Sequence, residues 1–79
     1  MTNQQTINAL RKRSGKLECI DTDMLDGFRY TLMMIEQHQK WSMTPLCLDF
    51  LTFAMDKLEA QDTFFKDMEE YAKQYEATA

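Results

Sequence analysis

The sequence predicts an all-α fold, a small bundle of three to four helices within a single domain of residues 1–79. Val is absent and Ile occurs only three times, whereas Leu, Met, Gln, Glu and Lys, which favour helices over strands, are abundant. Two Gly and one Pro leave little material for hairpin turns. Nine aromatic residues and seven Met supply the apolar side chains that a folded core requires.

The first predicted helix covers about residues 3–14. Thr2 followed by Gln5 has the spacing of a capping box, in which each side chain accepts from a backbone N–H group of the first turn. The basic residues 11–13 suit the negative end of the helix dipole, and Gly15 suits a left-handed residue just beyond it.

The second predicted helix covers about residues 22–40 and is capped by Asp21 or Thr22. At 100° per residue, its apolar side chains fall within one arc that is typical of a face packed on a core. The members of this predicted core face are Met24, Leu25, Phe28, Leu32 and Ile35.

The third predicted helix covers about residues 45–60. Its start is indicated by Thr44, whose hydroxyl suits a helix cap, followed by Pro45, which suits the first helical position. Its apolar residues span roughly 220° of the helical wheel, so we expect this helix to be the most buried. Asp62 with Thr63 suits the cap of a fourth helix over about 63–77. Because neither Gly nor Pro occurs at 60–63, one continuous or kinked helix from 45 to 77 is an equal prediction.

The net charge of −4 is unevenly distributed. Residues 1–20 carry four basic residues against Glu18, whereas residues 21–79 carry five basic residues and twelve acidic ones. The acidic body should repel nucleic acid and anionic membranes. The two cysteines are too few for a disulfide framework, which predicts free thiols. The apolar runs are too short for a membrane span. With the polar start at residues 1–9, these features predict a cytoplasmic location.

No pattern of residues predicts an enzyme, a metal site or a cofactor. The segment from Asp21 to Gly27 resembles a calcium loop, but Leu25 and Leu32 stand where the loop requires oxygen ligands. Cys19 and Cys47 with the single histidine, His38, are too few for a usual zinc site and show no sign of a nucleophile–base pair. Cys19 is the better candidate for a reactive thiol, because Cys47 lies on an apolar arc.

A second set of large side chains lies on helix 2, away from its predicted core face. Its members recur at i, i+4, i+7 and i+11, and they are Tyr30, Met34, Gln37 and Trp41. Such amphipathic side chains along one helical edge are typical anchors of a helix-mediated protein contact. The alternative is that helix 2 packs between two neighbours and buries both faces.

Two charged sets are further candidates for contacts. Arg11, Lys12, Arg13 and Lys16 form a basic segment suited to phosphate or to an acidic groove, with dipole complementation and solubility as the alternative. Glu69, Glu70 and Glu76 are the acidic candidates, which would occupy the basic groove of a partner.

These observations favour a non-catalytic protein-binding module: a small adaptor, chaperone or inhibitor that covers the surface of a partner protein. Small acidic domains with few cysteines are common among bacterial and phage accessory proteins. A chain of this length buries only about 60–65% of its unfolded surface, which favours a homodimer or a complex with another protein. The alternative function is a nucleic-acid-associated regulator that uses the basic segment.

Overall fold

A computed structural model describes residues 1–78, and in these residues three helices and no strand occur. The helices are α1 (Asn3–Ser14), α2 (Thr22–Gln37) and α3 (Thr44–Thr78). The predicted all-α fold is confirmed. The open question at residue 62 is answered by a single continuous α3, in which neither Gly nor Pro occurs after Pro45 to break the backbone ladder.

Helix α1 begins at the predicted capping box. The Gln5 N–H donates to the Thr2 hydroxyl oxygen at 3.2 Å, and the Thr2 N–H donates to the Gln5 side-chain carbonyl at 2.8 Å. At the other end, the predicted left-handed Gly15 is wrong: its φ is −69°. The chain instead continues in right-handed turns, with the Gly15 N–H donating to the Arg11 carbonyl at 3.2 Å.

Helix α2 is capped by Asp21, whose side chain accepts from the Asp23 N–H at 2.8 Å. It ends at Gln37, before the predicted boundary near residue 40. The following turns redirect the chain, because the Trp41 N–H donates to the His38 carbonyl at 2.9 Å and the Thr44 N–H to the Trp41 carbonyl at 3.0 Å.

The start of α3 is tied to this turn. Thr44 is predicted as a cap but is itself the first helical residue, and it is fully buried. Its hydroxyl donates to the His38 carbonyl at 3.0 Å. The predicted boundary at Thr44–Pro45 is therefore correct, although the Thr44 hydroxyl bonds to a carbonyl at the end of α2 and not to an N–H group of α3.

One hydrophobic core joins the three helices, and its buried members are Ile7, Leu10, Ile20, Phe28, Leu32, Ile35, Leu48, Leu51, Met55 and Leu58. The predicted core face of α2 is confirmed except for Met24, which is 50% exposed beside a groove between α2 and α3. Residues 45–60 contribute four side chains to this core, but their wide apolar arc is not covered on every side. Leu46, Phe50 and Phe53 are exposed, because α1 and α2 cover only one side of α3.

Asp62 fastens the connector between α1 and α2 to the middle of α3. One oxygen of its buried carboxylate accepts from the Glu18 N–H at 2.9 Å and the Cys19 N–H at 2.6 Å. The other oxygen lies 3.1 Å from the Lys66 ammonium. The predicted capping role of Asp62 is wrong, since the carboxylate bonds to a distant segment and not to its own helix start.

The end of α3 projects beyond the other helices. Its 35 residues correspond to roughly 52 Å at 1.5 Å per residue, and the molecule measures 58 × 23 × 15 Å. All residues from 67 to 76 are exposed. The core therefore stabilises only the first part of α3.

Gly15→Ala should increase the free energy of unfolding by about 0.4–1 kcal/mol, because its right-handed backbone accepts a side chain that restricts the unfolded chain. A Cβ there would lie 3.5 Å from the nearest atom, the Lys12 carbonyl oxygen, which is ordinary contact. Urea unfolding measures the change. Gly27→Ala is the matched control, since a Cβ at that helical position meets nothing within 4 Å. Destabilisation by Gly15→Ala alone would contradict the right-handed end of α1.

We expect the free energy of unfolding to fall in acid because Asp62 becomes protonated. The N–H of Cys19 above all, with those of Glu18 and the Lys66 ammonium, holds the pKa of Asp62 below its ordinary value. Its stabilising effect is therefore complete above the unfolded pKa of about 3.9 and is lost as the pH falls through the lower folded pKa.

Asp62→Asn should cost about 1.5–3 kcal/mol near neutral pH and should flatten the dependence of stability on pH below about 4. Thermal unfolding followed by circular dichroism over that pH range measures both effects. Asp49→Asn, at an exposed position of the same helix, is the control. Equal behaviour of the two variants would contradict the role given to Asp62.

Candidate interaction surfaces

The α2 edge, defined as Tyr30, Met34, Gln37 and Trp41, faces solvent. Tyr30 is 61% exposed and Trp41 is 53% exposed, while Met34 and Gln37 are also exposed. The three buried residues of α2, Phe28, Leu32 and Ile35, point to the opposite side. The bundle therefore does not cover the edge with a second neighbour.

The backbone around Trp41 is held by hydrogen bonds although its ring is exposed. Its N–H and carbonyl both take part in the turn that joins α2 to α3, at 2.9 Å and 3.0 Å respectively. Trp41 lies beyond the end of α2, so its position is set by the turn and not by the helical i+11 spacing. A large side chain on a fixed backbone is well suited to anchor a contact.

The outer face of α2 has more apolar surface than the sequence analysis identified. Met33 is exposed on the same side, one residue before Met34. Asp23 and Asp26 lie toward the start of this face, and Lys40 lies beyond its end. The surface thus has an apolar middle between acidic and basic ends.

A longer apolar surface runs along α3, and the periodicity of the sequence alone does not separate its members from the core. Seven large side chains, each between 52% and 71% exposed, lie within an arc of about 60° on the helical wheel. We call this set the α3 stripe: Leu46, Phe50, Phe53, Phe64, Met68, Tyr71 and Tyr75. Lys57 is the charged residue within the arc, and its ammonium lies 5.3 Å from the centre of the Phe53 ring.

A groove between α2 and α3 adjoins the first half of the stripe. It consists of two adjacent depressions of about 500 Å³ and 410 Å³, which share Thr31, Phe50 and Leu51 in their walls. Gly27 lines the groove without a side chain. The walls are mainly apolar, so the groove is suited to apolar side chains.

The basic segment is partly neutralised within the chain. An Arg11 nitrogen lies 2.7 Å from a Glu36 oxygen, and Arg13 bonds to Glu59 and, at 2.6 Å, to Asp56. The hydrogen bonds to Glu59 and then Asp56 raise the pKa of Arg13, and the bond from Arg11 lowers the pKa of Glu36. The two arginines thus fasten α1 to its neighbours.

Lys12 and Lys16 are the exposed bases of this segment that take part in none of these pairs. The acidic candidates lie on the projecting end of α3. Glu69 and Glu76 are seven residues apart and share one side of the helix, whereas Glu70 points about 100° away. Neither charged set forms one compact patch.

Cys19 and His38 do not come together. The Cys19 N–H bonds to Asp62 and the His38 carbonyl bonds to Thr44, and these partners are separated by about 27 Å of helix. Burial, followed by the carboxylates of Glu69 and Asp62, raises the pKa of the Cys19 thiol. A raised pKa keeps the thiol protonated and weakly nucleophilic.

Both cysteines are free. Among residues 1–78, no group of three or more His, Cys, Asp or Glu side chains is arranged to hold a metal ion. None of the helices in this part of the chain has the length and apolar character needed to cross a membrane.

Comparisons with known proteins find no matching family model and no significant match among curated proteins or solved structures.

Fluorescence of Trp41, the single tryptophan, should show a solvent-exposed indole. We expect emission close to that of free tryptophan and strong quenching by acrylamide, because the ring lies outside the core. Unfolding in urea should change both only slightly. A blue-shifted, protected emission that moves to longer wavelength on unfolding would contradict an exposed α2 edge.

Proposed function

We propose that this chain is a non-catalytic protein-binding module, a small adaptor, chaperone or inhibitor that covers part of a partner's surface. The observation that carries the proposal is the exposed α2 edge, on which Tyr30, Met34 and Trp41 lie away from the core. Large exposed apolar patches on small proteins are typical of interaction sites.

The chemistry of the edge indicates the kind of partner. Tyr and Trp combine a large apolar ring with one hydrogen-bonding group, and they are frequent among the side chains that dominate binding energies. Gln37 adds an amide between them. The expected partner is a protein with an apolar groove or helix face, and polar groups at its rim.

Two further observations support binding over catalysis and nucleic-acid contact. Cys19 and His38 are far apart, and Arg11 and Arg13 are engaged with carboxylates of the chain itself. The free cysteines agree with a reducing compartment such as the cytoplasm. Self-association into a homodimer belongs to the same proposal, since the chain exposes a second apolar surface on α3.

Trp41→Ala and Tyr30→Ala should each weaken the partner complex by about 30-fold or more, the usual effect of removing a dominant interface side chain. The tagged full chain is used to capture proteins from a lysate of its source organism, and mass spectrometry identifies those that both variants lose. Helicity by circular dichroism should be unchanged, because neither side chain lies in the core.

A Lys12→Ala/Lys16→Ala double variant is the matched control, because it removes exposed bases without breaking the Arg11 and Arg13 pairs. It should retain the same partner. Retention by both edge variants would refute the proposed edge. Loss by the lysine variant alone, with salt-sensitive retention on nucleic acid, would favour the nucleic-acid function.

A further inference from the structure

The α3 stripe has a spacing that reads the same in both directions. From Leu46 the steps to Phe50, Phe53 and Lys57 are four, three and four residues. From Phe64 the steps to the remaining members are again four, three and four residues. An antiparallel pair of identical helices sets each position against its mirror position about the two-fold axis, so a stripe with this symmetry faces itself along its whole length.

We propose that two copies of this chain pair through the α3 stripe as an antiparallel homodimer, with the two-fold axis between Ala60 and Gln61. In this register the position numbers of opposing residues add up to 121. The facing pairs, each formed twice, are Leu46 with Tyr75, Phe50 with Tyr71, Phe53 with Met68, and Lys57 with Phe64. Every large apolar member of the stripe then faces another member or Lys57.

The two halves of α3 differ in a way that this pairing uses. The first half is flanked by α2 and the apolar groove, whereas residues 67–76 project with every residue exposed. When the two α3 helices pair in antiparallel orientation, the projecting half of each copy packs against the groove side of the other.

The exposed apolar area of two stripes is of the size that a specific dimer buries. A fully buried aromatic side chain covers about 150–250 Å², so each half-exposed stripe member offers on the order of 100 Å². Two stripes together would remove on the order of 1,400 Å² from water, within the range of about 1,200–2,000 Å² for stable specific interfaces. Ala60, beside the axis, has a side chain small enough for close approach of the two helices.

The charge on the stripe is accommodated in the same register. Lys57 faces the Phe64 ring of the second copy and lies one helical turn from the Asp67 carboxylate of that copy. Each copy thereby contributes one cation and one carboxylate near the axis. A favourable contact of the ammonium with an aromatic ring is already present within the chain at Phe53.

This inference rests on the proposed protein-binding function and specifies its self-association. The α2 edge lies on the outer side of α2, away from the core and from α3, so the dimer leaves two edges open for a partner protein.

Sedimentation equilibrium of the full chain should give twice the mass of 9.4 kDa at micromolar concentrations. Phe50→Lys and Tyr71→Glu should each weaken the dimer on the order of 100-fold or more, since each change disrupts two facing pairs. Both side chains are exposed, so circular dichroism should report unchanged helicity in the separated chains. A monomeric wild-type chain would overturn the inference and leave the α2 edge to its own test.

Mixing the two variants tests the register. The introduced lysine and the introduced glutamate would face each other at one end, while an unchanged Phe50–Tyr71 pair forms at the other. A mixed dimer should therefore recover most of the wild-type affinity. A mixture of Phe50→Lys with Phe50→Glu should not recover, because these positions oppose each other only in a parallel pair.

Recovery in the second mixture but not in the first would overturn the antiparallel register. Trp41→Ala is the remaining control and should stay dimeric. If it becomes monomeric while Phe50→Lys remains dimeric, the α2 edge is the self-association surface. The stripe inference would then fall, although the proposed function would stand.

Discussion

The constraint on which the structure depends is that α1 and α2 are too short to cover α3. Helix α3 has 35 residues, whereas α1 has 12 and α2 has 16. Their apolar faces meet only one strip of α3, which includes Leu48, Leu51, Met55 and Leu58. Because the apolar arc of α3 is wider than that strip, the rest of it remains on the surface. The α3 stripe results from this mismatch between apolar sequence and available cover.

Polar contacts at the two ends of the packed region keep α1 and α2 on their strip. Asp62 binds the connector at one end, and Thr44 joins α3 to the turn after α2 at the other. Arg13 connects α1 to Asp56 and Glu59 on α3. These groups would be costly to bury unpaired, and among the described residues no buried side-chain N or O atom lacks a partner. Side chains that resemble binding groups in the sequence thus serve the architecture.

Local signals made much of the fold predictable. The capping box at Thr2 and Gln5 and the Asp21 cap are short-range features, and the structure contains both. The core face of α2 follows from its period, with Met24 as the exception. Helix α2 ends earlier than its periodicity predicts. The hydrogen bonds of the turn among His38, Trp41 and Thr44 depend on packing that periodicity does not encode.

The sequence by itself determined the helical class, the helix starts and the excess of apolar residues, because propensity, capping and periodicity act over a few neighbouring positions. Only the tertiary structure decided which apolar residues of α3 are core. Leu51 and Phe50 are adjacent and similarly hydrophobic, yet one is buried and the other exposed. The difference lies in the side of α3 on which α2 packs. That choice, set by contacts between distant segments, leaves the α2 edge and the α3 stripe facing outward.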